Sequence, residues 1–136
     1  MPSERFALGL KPDREAPLTV ADWVGTAAAA LALGGDLTFK IDLCLAEAVA
    51  NVVDHAGASQ LELDLGLDLT GSTVTATVED DGAPFNPLDR PPPARPISIE
   101  DAPIGGLGIH LVRNCTDEVA YEYRDGRNRL TMVWRR

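Results

Sequence analysis

Three polar side chains recur every four residues along one strongly apolar segment. Glu47, Asn51 and His55 lie in FKIDLCLAEAVANVVDHAG, which covers residues 39–57. Residues four apart share one face of an α-helix, so this spacing predicts a polar stripe on a helix that is buried nearly all round. The stripe combines a carboxylate that can act as a base, an amide oxygen that suits magnesium and an imidazole.

A second carboxylate is placed by the strand pattern that follows. Leucines at alternate positions of residues 61–69, a turn at residues 70–72 and alternating apolar residues at 74–78 predict a β-hairpin with one buried face. The same period of two places Asp80 on that face, where an unpaired carboxylate is costly and needs a partner. An inward carboxylate that accepts a hydrogen bond from an exocyclic amine would select adenine.

A long loop and a cluster of glycines come next. Residues 82–103 have no helical or strand periodicity and hold most of the prolines, and loops of this length are usually functional lids or linkers. The chain then passes through Gly105, Gly106 and Gly108 into the helical pattern GGLGIHLVRNC. Because glycines at a helix start let backbone N–H groups approach an anion, this cluster predicts phosphate binding.

Capping residues set the predicted helix boundaries. A helix over residues 20–33 is expected to be capped by Thr19 or Asp22 and ended by Gly34 and Gly35. The helix over residues 39–57 is expected to be capped by Asp36 or Thr38 and to end at Gly57.

Two further segments alternate as strands do. RFALGL, residues 5–10, predicts a first strand, and residues 118–123 and 129–134 predict a second hairpin around an Asp125–Gly126 turn. In that hairpin Val119, Tyr121 and Tyr123 are expected to face Leu130, Met132 and Trp134.

The length, charge and residue composition of the chain exclude several classes of function. A chain of 136 residues predicts one domain, residues 1–136, and its net charge of −9 argues against nucleic acid or an anionic membrane as partner. Two cysteines and two histidines predict neither a disulfide framework nor a transition-metal site. The absence of a signal-peptide pattern in the sequence predicts a cytoplasmic protein.

These motifs, in this order, resemble the N, G1 and G2 boxes of the GHKL (Bergerat-fold) ATPases. The boxes are Glu47-x-x-x-Asn51, Asp80-x-Gly82 and Gly106-x-Gly108. Within that superfamily the strings LAEAVANVVDHAG, VEDDGAPFNP and GGLGIHLVRNCTDEVAYE are most similar to the anti-sigma-factor serine/threonine kinases. The similarity covers nearly the whole chain.

The resemblance implies a fold and a site. The expected fold is an α/β (α+β) two-layer sandwich, in which a mixed, mostly antiparallel sheet is covered by three helices and ATP lies under a lid at about residues 83–104. Glu47 would act as general base, Asn51 would coordinate Mg²⁺ and Asp80 would contact adenine. The remaining nucleotide-binding residues would be Gly82, Gly105, Gly106, Leu107 and Gly108.

The resemblance also implies partners. The usual target of such kinases is a serine on a STAS-domain anti-anti-sigma protein, and a sigma factor or another regulator is a second expected partner. A homodimer is expected as well, with the first strand and the alanine-rich helix as candidate surfaces.

Two departures from the family pattern concern the residues expected near the phosphates of ATP. Pro84 stands in place of the second glycine of the first glycine box, and Asp54 stands where many relatives carry Arg or Lys. Arg90 and Arg95 of the lid are the candidates to neutralise the triphosphate instead. His55 is expected to be structural, bonding a loop carbonyl.

Three other functions are alternatives. One is a nucleotide-gated binding switch without phosphoryl transfer, which would have no use for a base at Glu47. The others are the ATPase module of a histidine kinase and a module of a gyrase-like enzyme. Against these two, no upstream hairpin with a phospho-acceptor histidine and no transducer domain is expected in the chain.

Overall fold

The alternating segments of the sequence form one five-stranded sheet. The computed structural model describes residues 4–68, 70–89 and 108–136. Its strands are β1 (Arg5–Leu10), β2 (Leu61–Leu67), β3 (Thr73–Asp80), β4 (Glu118–Arg124) and β5 (Arg127–Arg135). They lie in the order β1-β2-β3-β5-β4. The first strand and both hairpins are confirmed, and every pairing among the described strands is antiparallel.

The apolar segments form the helical layer. The helices are α1 (Ala16–Ala30), α2 (Gly35–Asn51) and α3 (Gly108–Cys115), with a π-helical turn over Val52–Ala56 and a 3₁₀ turn over Pro87–Asp89. The two-layer α/β sandwich that the resemblance implies is therefore confirmed. None of the described helices is long and apolar enough to cross a membrane.

The core lies between the sheet and the helices, as the period of two predicts. Alternate side chains of β2, β3 and β5 are buried on one face; they are Leu61, Leu63, Leu65, Val74, Ala76, Val78, Leu130, Met132 and Trp134. Across β4 and β5, Val119 lies opposite Met132 and Tyr121 opposite Leu130.

Helix α1 begins and ends earlier than predicted. It begins at Ala16 because Pro17, whose missing N–H costs nothing in a first turn, fits the N-terminus of a helix. It ends at Ala30 because Ala32 takes a left-handed conformation (φ 56°) and the N–H of Leu33 bonds to the carbonyl of Ala28 at 3.0 Å. The predicted caps at Thr19 and Asp22, and the stop at Gly34 and Gly35, are wrong.

Helix α2 begins four residues before Phe39. Gly34 is the N-cap, with extended backbone (φ −68°, ψ 161°), so Asp36 lies in the first turn and the hydroxyl of Thr38 donates to the Gly34 carbonyl at 2.9 Å. The expected cap at Asp36 or Thr38 is therefore wrong. The prediction that this helix is buried nearly all round is also wrong, since Phe39 is 68% exposed. The predicted end at Gly57 is confirmed by its left-handed conformation.

Asp81 fastens the chain that follows α2 to the end of β3. Its carboxylate accepts hydrogen bonds from the Ser59 hydroxyl (2.6 Å), the Ser59 N–H (2.8 Å) and the Gln60 N–H (2.9 Å). These bonds favour the charged form and lower the pKa of Asp81 from 3.8 to about 2. The clamp is present at neutral pH and depends on an ionised side chain.

Asp81→Asn should lower the stability of the fold at pH 6 and leave it little changed at pH 2. A carboxylate whose pKa is lowered by folding stabilises the fold above its unfolded pKa, and this contribution is lost as the pH falls from about 4 toward 2. Chemical denaturation of wild type and variant across this range measures the difference. Asp22→Asn, at an exposed position within α1, is the control. A stability difference that stays constant with pH would contradict the clamp.

Candidate functional site

A small cavity opens between the end of α2 and the end of the sheet. Residues from α2, β3, the loop after β3, β4 and β5 line it, among them Asn51, Asp80, Phe85, Tyr121 and Asn128. Its volume is about 20 Å³, which is room for about one water molecule. Two amides, a carboxylate and two aromatic rings thus share an otherwise apolar wall.

Asp80 lies where the strand pattern predicts it. Its side chain is buried, with 4% of the residue exposed. Oδ1 accepts a hydrogen bond from the N–H of Gly82 at 2.9 Å and another from Nδ2 of Asn128 at 3.0 Å. The partner that a buried carboxylate requires is therefore supplied by its own turn and by β5.

Gly82 is required by a close approach between two backbones. A Cβ at this position would lie 2.2 Å from the carbonyl oxygen of Ala56 and 2.9 Å from Oδ1 of Asp80. Beside it, the N–H of Ala83 donates to the Ala56 carbonyl at 3.1 Å. The glycine therefore lets the loop after β3 pass directly against the end of the π-helical turn.

The polar stripe of α2 is divided by that π-helical turn. Asn51 is buried on the cavity wall, whereas Glu47 is half-buried and is not among the residues that line the cavity. After Asn51 the helix closes i→i+5 rather than i→i+4, so a four-residue step no longer keeps the same face. His55 is accordingly exposed, and among the described residues its ring stacks on Phe85, at 5.5 Å between centroids, rather than bonding a loop carbonyl.

The glycine cluster lies mostly outside the described residues. Gly105, Gly106 and Leu107 are not described, nor are Arg90 and Arg95 of the predicted lid, whereas Gly108 is the first residue of α3.

The described start of the predicted lid is held on two sides. Nη2 of Arg113 on α3 donates to the Leu88 carbonyl at 2.5 Å. On the other side, the N–H of Phe85 donates to Oδ1 of Asn128 at 2.9 Å. The loop thus leaves the sheet along a defined path between α3 and β5, while Pro84, within it, is exposed.

Asn128 is a site residue that was not predicted from the sequence. It is 4% exposed and lies opposite Asp80 in the pairing of β3 and β5. The signal was available, because counting back by two from Leu130 places Asn128 on the inward face. A polar residue there, one strand away from an inward carboxylate, indicates a hydrogen-bonded pair.

Neither a reactive cysteine at position 44 nor a cluster of metal-ligating side chains is found among the described residues. Burial, with smaller contributions from Cys115 and Glu47, raises the pKa of Cys44 to about 12, so its thiol stays protonated and unreactive. Within the described ranges, no three His, Cys, Asp or Glu side chains are grouped to hold a metal ion.

Both the sequence and the fold are similar to those of known proteins. Residues 10–134 match the family described as Histidine kinase-like ATPase domain. The chain is 35% identical over 99 residues to serine/threonine-protein kinase BtrW of Bordetella bronchiseptica, covering 71% of this chain and 70% of BtrW.

A solved structure extends the similarity to the fold. The crystal structure of the RsbU and RsbW domains of Rv1364c from Mycobacterium tuberculosis matches with a TM-score of 0.72 at 18% identity. The match covers 98% of this chain, which spans only 33% of that longer chain. At this identity the similarity concerns the fold alone.

Gly82→Ala should destabilise the protein by roughly 1–3 kcal/mol, the usual cost of forcing extra atoms into a packed site. The added methyl must displace the Ala56 carbonyl, which is backbone and cannot turn aside. Gly25→Ala is the control because its Cβ would meet open space in the interior of α1. That change should stabilise by about 0.5–1 kcal/mol. If urea denaturation gave the same change in the free energy of unfolding for both variants, Gly82 would not lie directly against the Ala56 carbonyl.

Proposed function

The chain belongs to the histidine kinase-like ATPase domain family, and from that premise we propose that it is an ATP-dependent serine/threonine kinase of the anti-sigma-factor type. In this proposal it binds ATP or ADP, transfers phosphate to a serine of a STAS-domain anti-anti-sigma protein and sequesters a regulatory partner such as a sigma factor. The similarity to a protein named as a serine/threonine kinase supports the reaction class.

One observation carries the nucleotide assignment. Asp80 is a buried carboxylate on a cavity wall, and both hydrogen bonds that it receives from the described residues go to Oδ1. Oδ2 is then the acceptor for an amine on a ligand. Adenine carries an amine at its six position, whereas guanine carries a carbonyl there, which a carboxylate would repel.

Asn51 fits the magnesium ion that accompanies ATP. Its amide is a hard oxygen donor on the cavity wall, and Mg²⁺ in nucleotide sites takes one or two protein ligands and fills its shell with phosphate oxygens and water. The ion would neutralise phosphate charge when bound. That contribution matters here because Asp54 adds a negative charge three residues beyond Asn51.

Glu47 lies one helical turn before Asn51 on α2. Because it is half-buried rather than enclosed, a serine hydroxyl from another protein can approach its carboxylate. In the proposed reaction Glu47 accepts the hydroxyl proton as the serine oxygen attacks the γ-phosphorus. The bond from the γ-phosphorus to the bridging oxygen breaks, and ADP leaves.

The second candidate is a nucleotide-gated switch without phosphoryl transfer. It is favoured by the position of Glu47, which does not line the described cavity, although Asn51 and Asp80 do. In such a protein, nucleotide would change the affinity for a partner and Glu47 would only shape the surface. The two candidates share adenine binding and differ in whether Glu47 is needed.

Asp80→Asn should leave the fold intact and weaken ADP binding by an order of magnitude or more, because the amide replaces a charged acceptor. Isothermal titration calorimetry with ADP and GDP measures both affinities. The wild type should prefer ADP strongly. An unchanged ADP affinity in the folded variant would exclude Asp80 as the adenine contact.

Glu47→Gln and Asn51→Ala should separate the kinase from the switch. Loss of the base should spare ATP affinity and slow phosphate transfer by about 10²–10⁴-fold, whereas loss of the metal ligand should weaken Mg²⁺-dependent ATP binding. Both variants are assayed by calorimetry and by transfer from radiolabelled ATP to the cognate STAS-domain protein. If Glu47→Gln transfers phosphate at the wild-type rate, Glu47 is excluded as the base. If the wild-type chain itself transfers no phosphate, the nucleotide-gated switch is favoured.

A further inference from the structure

The side-chain amide of Asn128 uses its full hydrogen-bonding capacity. Nδ2 donates to Oδ1 of Asp80 at 3.0 Å and to the Ala83 carbonyl at 2.8 Å. Oδ1 accepts from the N–H of Phe85 at 2.9 Å and from the hydroxyl of Tyr121. An asparagine has two donor hydrogens and two acceptor lone pairs, and all four are engaged here.

These partners fix which way the amide points. A carboxylate oxygen and a carbonyl can only accept, so the nitrogen must face Asp80 and Ala83. The N–H of Phe85 can only donate, so the amide oxygen of Asn128 must face Phe85. A flipped amide would place like groups together on both sides at a buried position. Asn128 is therefore a rigid donor toward Asp80.

A rigid donor matters because the last torsion angle of an aspartate is soft. The plane of a carboxylate turns within a broad, roughly two-fold well, and the other bond to Oδ1 comes from Gly82 in the same turn as Asp80. Asn128 adds a second point of attachment from β5, 48 residues away in sequence. With Oδ1 held from both sides, the plane is set and Oδ2 keeps one direction.

We propose that Asn128 is a specificity-determining positioning residue, which orients Asp80 so that Oδ2 receives the amine of adenine. This inference rests on the proposed adenine-nucleotide binding and goes beyond it. Asn128 acts through Asp80 and contributes to binding only for ligands that carry the amine. The same amide bonds Ala83 and Phe85, so the first residues of the loop are set from the same point.

The test compares two ligands that differ only in the amine. ADP and purine riboside 5′-diphosphate, which has hydrogen at the six position, are titrated into the wild type by calorimetry. Each is also titrated into Asn128→Ala and Asn128→Asp. The aspartate variant is isosteric and retains an acceptor for Phe85 and Tyr121, while its ionised form loses the donor to Asp80 and to the Ala83 carbonyl. Circular dichroism and thermal unfolding verify that each variant is folded.

The wild type should bind ADP about tenfold or more tightly than the analogue, consistent with a hydrogen bond to a charged group. Either variant should bring that ratio close to one, because only ADP carries the amine, whereas loss of the contacts to the loop and to Tyr121 should change the affinity for both ligands by the same factor. If Asn128 had only a structural role, each variant would lower the affinity for both ligands by the same factor and leave the ratio of the two affinities unchanged.

Two results would overturn the proposal. One is an unchanged ratio of the two affinities in either folded variant, and the other is a wild type that binds both ligands without distinguishing them. A wild type that binds neither ligand would overturn the proposed function together with this inference. Failure of the function is thus distinguished from failure of the role of Asn128.

Discussion

A carboxylate buried at the end of a strand must be hydrogen-bonded, because the desolvation of an unpaired charge costs several kcal/mol or more. Asp80 meets this requirement through two donors to one oxygen, the Gly82 N–H and the Asn128 amide. The rest of the site follows from this pairing. Gly82 donates one of these bonds, and because it has no side chain the loop can pass directly against the Ala56 carbonyl.

Segments that are distant in sequence therefore meet around one oxygen atom. The π-helical turn after α2 brings the Ala56 carbonyl to the loop, β3 supplies Asp80, and β5 supplies Asn128. One carboxylate oxygen is bonded to the protein, and in the proposed function the other is the acceptor for a ligand. In that proposal, structure and recognition are separated on the two sides of a single side chain.

The period of two predicted most of the sheet and the inward position of Asp80, because one buried face imposes alternation on every strand. Helix boundaries were less accurate, since Ala32 adopts a left-handed conformation that alanine seldom takes, and Gly34 caps the start of α2 instead of ending α1. The π-helical turn has no sequence signature, so the exposure of His55 was not predictable from the four-residue spacing. Asn128 could have been found by counting back along β5, but its four bonds depend on where the loop runs.

In the proposed complex Asp80 presents one oriented oxygen to adenine while its other oxygen remains bound to the protein. A crystal structure of the chain with ADP would show both sets of bonds. We expect the adenine amine to lie within hydrogen-bonding distance of Oδ2, with Asn128 and Gly82 still donating to Oδ1. An adenine base bound elsewhere, or a carboxylate that turns and exchanges its bond to Asn128 for one to the ligand, would contradict it.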